Sequence, residues 1–192
     1  MSARKLGAGR FLAIAGIALL VAALAIGIKG WMDGRTRQSE SSEVASSVLS
    51  KLDEVGTPAS GGEATIVPAN LPVLELEDTD IAGRLQISSI ALDLPVAASK
   101  DAAGLLPYLS SERSSSLAIK GESYEGEGAF GKIDSLAAGA VVTFTEMDGK
   151  CARFRVMGSG TTSEEFNDSY DLIMYWTDAF GTKHWAGCSL AS

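Results

Sequence analysis

Cysteine and histidine are scarce in this chain: 192 residues carry two cysteines, Cys151 and Cys188, and a single histidine, His184. One disulfide, Cys151–Cys188, is therefore the most that can form, as against two separate buried thiols. A thiol–imidazole pair between Cys188 and His184 is excluded if they share a strand, because four residues at strand rise span about 13 Å. Cys151 follows a turn and reads as structural. Clustered lysine and arginine are also lacking. The formal net charge is −8, from 24 acids and 16 bases. That excludes nucleic acid as a partner, since phosphate binding needs concentrated positive charge. No loop of spaced carboxylates of the calcium-binding kind occurs, nor any internal repeat, and no motif calls for a metal or cofactor. Acids themselves are absent before residue 30.

That acid-free start holds an uncharged run from Phe11 to Ile28, preceded by Arg4, Lys5 and Arg10. At about 1.5 Å per residue, a helix of this length just spans the hydrocarbon core of a bilayer. Ala23-Leu24-Ala25 fits a signal-peptide cleavage site, but apolar residues continue through Ile26 and Ile28. The sequence thus predicts an uncleaved transmembrane signal anchor over residues 11–29. Lys29, Arg35 and Arg37 follow it, so basic residues flank both ends and the positive-inside signal is weak. The remaining chain carries all 24 acids and 12 of the bases, a net −12. A short basic N-terminus inside (1–10) and an acidic body outside is the placement this favours: a single-pass cell-membrane protein with an extracellular C-terminal domain.

Residues 30–75 read as a stalk rich in Ser, Gly and Glu. Within it Val44, Val48, Leu49 and Leu52 recur at helical spacing and predict a short amphipathic helix. From about residue 76 to 192 the texture is that of short strands. Leu85 and Ile87 alternate with polar residues, then Ile90, Leu92, Leu94 and Val96, then Val142 and Phe144, then Phe154 and Val156. Period-two alternation marks strands with one buried and one wet face. Asp148-Gly149 lies between the last two runs and predicts a tight hairpin with positive φ at both turn positions. Phe130, Ile133 and Leu136 suit a single helical turn, and Ser163 is placed to cap a second one before Glu164 and Glu165. The fold class expected is an all-β closed barrel.

Two stretches add a resemblance. Leu117-Ala-Ile-Lys-Gly-Glu-Ser-Tyr124 and Tyr170-Asp-Leu-Ile-Met-Tyr-Trp-Thr177 resemble the two active-site strands of the sortase family, transpeptidases that attach proteins to Gram-positive cell walls. Asp80–Ile87 followed by Ile90–Val96 is similar to that family's first two strands, and the order of elements matches over about residues 79–190. The resemblance implies a sortase-like barrel of about 7–8 strands. In the family a cysteine thiolate attacks, a histidine protonates the leaving amine and an arginine stabilises the oxyanion. Position by position these fall on Thr177, Glu122 and His184, with Lys183 the other candidate for the arginine.

The resemblance therefore implies a membrane-anchored sortase-like protein of the Gram-positive cell surface that lacks the catalytic set. Such a protein would act by binding a protein or sorting peptide in surface-protein or pilus assembly. An enzyme using a rearranged Thr177–His184–Glu122 site and a purely structural envelope module are the alternatives. The aromatic group Tyr170, Tyr175, Trp176, Phe180 and Trp185 reads first as core. Tyr175, Trp176 and Trp185 are the candidate binding residues if the rings are exposed.

Overall fold

The alternating runs become nine strands in a computed structural model, which describes residues 36–54, 71–76, 79–111, 116–122, 128, 130–164, 166 and 169–191. They are β1 (Leu74–Leu76), β2 (Thr79–Ile87), β3 (Leu92–Ala97), β4 (Tyr108–Leu109), β5 (Leu117–Gly121), β6 (Val141–Glu146), β7 (Cys151–Thr162), β8 (Leu172–Thr177) and β9 (Lys183–Leu190). Hydrogen bonding runs β1-β2-β3-β4-β5-β8-β9-β7-β6, and β6 pairs back onto β2. That last pairing closes β2 through β9 into a barrel and leaves β1 as an added edge.

Most neighbours are antiparallel. The exceptions are β3 with β4 and β5 with β8. Leu117, Ile119 and Gly121 lie opposite Leu172, Met174 and Trp176. A parallel pair cannot be joined by a hairpin, and here β6 and β7 intervene in the chain between its two members. The C-terminal ends of β2, β5, β7 and β8 thus share one rim with the N-terminal ends of β3, β6 and β9.

The barrel interior holds the large alternating side chains: Leu85, Ile87, Leu117, Ile119, Phe144, Phe154, Leu172 and Met174 among them. Each fully buried side chain of this kind is worth about 1.5–3 kcal/mol of transfer free energy. A 3-10 turn over Phe130–Ser135 packs against β7, β8 and β9, and its buried Phe130 and Ile133 join the same core. This is the helical turn that the spacing of Phe130, Ile133 and Leu136 predicts. A second core lies outside the wall. The helix over residues 36–54 (α1) places Ala45, Val48 and Leu52 against Ile81, Ala97, Leu106 and Tyr108. A register shift between Ile81 and Gly83 turns Ile81 toward the helix while Leu85 and Ile87 stay inside, as an extra residue in one strand does. Ser41 Oγ donates to the Leu105 carbonyl at 2.8 Å, and Arg84 on β2 reaches Asp53 at 2.8 Å.

One expectation changes here, that of the hairpin turn, and two open readings are decided. The amphipathic helix expected in the stalk packs on the barrel wall, because its apolar stripe needs a partner. The β6–β7 hairpin is present, but Gly149 alone takes a positive φ, 84°. Its amide donates to the Glu146 carbonyl at 3.0 Å, and the Glu146 amide donates to the Lys150 carbonyl at 2.8 Å. The turn is therefore wider than a two-residue one. Cys151 and Cys188 are free thiols, not a disulfide. Cys151 lies opposite Thr145 at the start of β7, whereas Cys188 lies opposite Val156, inside the barrel.

The expected transmembrane segment, residues 30–35 and 55–70 of the stalk, and Glu165, Asn167 and Asp168 of the turn capped by Ser163 lie outside the described residues. Among the described residues no helix is long and apolar enough to cross a membrane.

Candidate functional site

The rim at the ends of β5, β8 and β9 is where the sequence placed its candidate residues. Register and pleat fix which of them share a face. Thr177 lies opposite Lys183, and Trp176 lies opposite His184. Successive strand residues point to opposite sides, so Thr177 and Lys183 share one face while Trp176 and His184 share the other. The second face is the interior, since Trp176 belongs to the barrel core. On β5, Gly121 lies opposite Trp176, and Glu122 follows just past the end of that strand. Thr177 and Lys183 therefore stand together on the outer face.

His184 is not with them. Its ring stacks on Trp176, with centroids 3.9 Å apart and planes 8° from parallel. Nδ1 is 2.8 Å from Asp134 Oδ2 in the 3-10 turn, and Nε2 is 3.7 Å from Asp178 Oδ2. The two carboxylates approach opposite edges of the ring, so they brace it and do not chelate a common ion. Asp178 in turn organises the β8–β9 loop: its Oδ1 accepts from the Phe180 amide at 2.9 Å and the Thr182 amide at 2.8 Å. Loss of solvent pushes the Asp178 carboxyl up, but those two amides and the His184 ring outweigh it and hold it below the usual carboxylate range. The rearranged Thr177–His184–Glu122 triad is not assembled, because the pleat turns His184 away from Thr177.

No thiol replaces the missing nucleophile on this face. Cys188 is fully buried, and burial pushes its thiol up to about 12. A nucleophilic cysteine needs the opposite shift, toward a thiolate in a polar, open site. Cys151, half-buried, accepts a long 3.9 Å contact from Thr145 Oγ1 on the far side of the barrel.

The aromatic group divides along the same line. Trp176 is inward and buried, so it cannot share an outer binding surface with Tyr175 and Trp185. Those two are cross-strand partners on the outer face. Phe166 lies 4.9 Å from Tyr175 and 6.2 Å from Trp185, and Tyr170 lies 5.8 Å from Trp185. Gly187 makes this possible: a Cβ there would come within 2.6 Å of the Tyr170 ring. Tyr175 is buried beneath Phe166, with its hydroxyl 3.1 Å from Ser110 Oγ. Phe180, grouped with these rings in the sequence, stands 94% exposed at the loop tip. Two ammonium groups border the covered face, Lys120 at 5.6 Å from the Tyr175 ring and Lys183 at 5.0 Å from the Phe166 ring. Lys183 Nζ also lies 3.4 Å from the Glu164 carbonyl.

Asp134, Asp178 and Phe166 are the residues that sequence reasoning missed. Asp134 is fifty positions from His184 and leaves no local signal. Asp178 had one, as an Asp followed closely by Phe180-Gly181-Thr182 in a loop, the setting for a side chain that accepts from backbone amides two residues on.

No family model matches the sequence, and no curated protein matches it significantly. Solved structures do match. Sortase A from Corynebacterium diphtheriae aligns with a TM-score of 0.51 at 12% identity, covering 84% of this chain and 93% of that one. The fold is sortase-like. The pilus-related sortase C of Group B Streptococcus aligns at TM-score 0.50 and 12% identity over 62% of this chain and 70% of its own. Clostridium perfringens sortase C with the C-terminal cell wall sorting motif gives 0.50 and 16% over 62% and 75%. At such identities the shared property is the sortase-like barrel itself, and function has to be argued from the site.

Proposed function

We propose that this protein is a membrane-anchored member of the sortase family at the Gram-positive cell surface that has given up transpeptidation and works by binding. Its ligand is a protein or sorting peptide in surface-protein or pilus assembly, met on the outer face of β5, β8 and β9. The apolar run 11–28 supplies the anchor, and the basic N-terminus sets the acidic domain outside.

One observation carries the reading. The residues at these ends of β5, β8 and β9 are Glu122, Thr177 and Lys183, which offer no thiol and no imidazole. Acyl transfer through a thioester requires a thiolate and a proton donor in one cleft. Lys183, sharing the Thr177 face, fits the family's cationic position better than His184 does. A cation there still attracts a peptide carbonyl or carboxylate, so binding can outlast chemistry.

The test is a transpeptidation assay on the full chain with a panel of sorting peptides and an amine acceptor, read by mass spectrometry. No covalent acyl-protein adduct and no peptide cleavage are expected. Turnover abolished by Thr177→Ala would overturn the proposal in favour of an enzyme that uses the threonine hydroxyl.

A further inference from the structure

The outer wall formed by β3, β2, β6 and β7 stands across the barrel from the β5–β8 rim. Its outward side chains form a cross-strand row: Asp93, Gln86, Thr143 and Arg153. Beside Arg153, two positions along β7, is Arg155, which lies opposite Val141. Both arginines are exposed, and no described carboxylate pairs with either. The one acid in the row is already neutralised. Arg84 holds Asp93 with two bonds, Nε to Oδ1 at 2.7 Å and Nη2 to Oδ2 at 2.8 Å, and Gln86 adds a third at 3.3 Å. In a chain with more acids than bases this wall is net positive.

Two further features shape it. Val141 is 46% exposed and Met157 is 59% exposed, bracketing Arg155 with apolar surface. At the rim end, Gln86, Ser88, Ser89, Asp93, Val141 and Thr143 line a cleft of about 430 Å³. Arg153 and Arg155 repeat every second residue, about 7 Å apart, which is also the spacing of alternate side chains in any extended peptide. We propose that this wall docks an extended acidic segment of a partner protein lying along β7, with carboxylates at two successive alternate positions on Arg153 and Arg155 and an apolar residue at the next alternate position on Met157, beside Val141. Guanidinium groups pair with carboxylates through two parallel hydrogen bonds. The flanking valine and methionine favour a polypeptide over a bare polyanion, which has nothing apolar to bury.

Fluorescence anisotropy of the full chain with a labelled Ser-Glu-Ser-Glu-Ser-Val-Ser peptide, whose two acids and valine share one face when extended, tests this. The peptide is expected to bind, with affinity falling as salt rises. The double reversal R153E/R155E should weaken it at least about tenfold. Both side chains are exposed, so thermal unfolding of that variant should match the wild type, and a lowered midpoint would call for the milder R153Q/R155Q in its place. Val141→Ser with Met157→Ser should weaken the peptide several-fold while the arginines remain. Unchanged affinity in the arginine variants overturns the proposal, as does failure of that peptide to bind. Equal binding of polyphosphate or of a Glu-Ser peptide would overturn the polypeptide assignment by making the wall a general anion surface.

Discussion

The inner and outer faces of the β8–β9 ribbon differ in what their rim residues are committed to. Inside, Trp176 and His184 stack, Asp134 and Asp178 brace the imidazole, and the 3-10 turn is tied to the barrel wall. Outside, Thr177 and Lys183 pair across the strands and face away from the barrel interior. A single-residue alternation separates a structural cluster from a candidate binding face. The chain's only imidazole has been spent on the structural side.

The largest expected effect lies inside. Trp176→Ala removes a buried indole and the platform for His184, and should cost about 3–5 kcal/mol in denaturant unfolding. Trp176→Phe should cost less than about 1.5 kcal/mol, because Trp176 Nε1 has no described hydrogen-bond partner to lose. Equal losses from the two changes would mean that the indole N–H, and not the ring volume, holds this end of the barrel.

His184→Ala and Asp134→Ala come next, each costing about 1–3 kcal/mol because each leaves a partly buried polar partner unpaired. Their effects should be strongly non-additive in a double-mutant cycle, since both break one contact. The outer face should behave differently. Thr177→Ala and Lys183→Ala are expected to change stability by less than about 0.5 kcal/mol while altering peptide binding. A binding defect in His184→Ala without loss of stability would dissolve the division between the two faces.

Much of this division was legible in the sequence, and some was misread there. Consecutive residues in a strand face opposite ways, so Tyr175 and Trp176, read together as candidate binding residues, cannot share one surface. The same parity separates Lys183 from His184 once the register with Thr177 is known. That register was the missing quantity. Alternation located β2, β3, β6 and β7, but it does not say which strands pair. The β5–β8 pairing was not legible in the sequence, because a parallel contact across more than fifty residues has no local signature. The helix stripe Val44, Val48, Leu49 and Leu52 was read correctly as amphipathic. Its docking site on Ile81 and Ala97 depended on a strand bulge that the sequence does not advertise. Asp148-Gly149 marked the hairpin, although the turn uses positive φ only at Gly149.

A modest pH dependence sets the wall and the ribbon against the hairpin end. Arg84 hydrogen bonds hold the Asp93 carboxyl below its ordinary value of 3.8, and Asp178 is shifted the same way. Groups with lowered values contribute stability above 3.8 and lose it as pH falls through the folded value. Glu146 at the end of β6 is opposite in sign. Burial raises its carboxyl above 4.5, the neighbouring Asp148 adds to this, and Lys150 works against it. The folded chain then holds that proton more tightly than the unfolded one, so the contribution is present below 4.5 and disappears as pH rises through the raised value. Glu146→Gln should therefore stabilise the protein by up to about 1 kcal/mol near neutrality and give no gain near pH 4. Thermal unfolding of both proteins across that range reads the difference directly. A gain of the same size at both ends would mean that the substituted amide improves packing and that the carboxyl's proton plays no part.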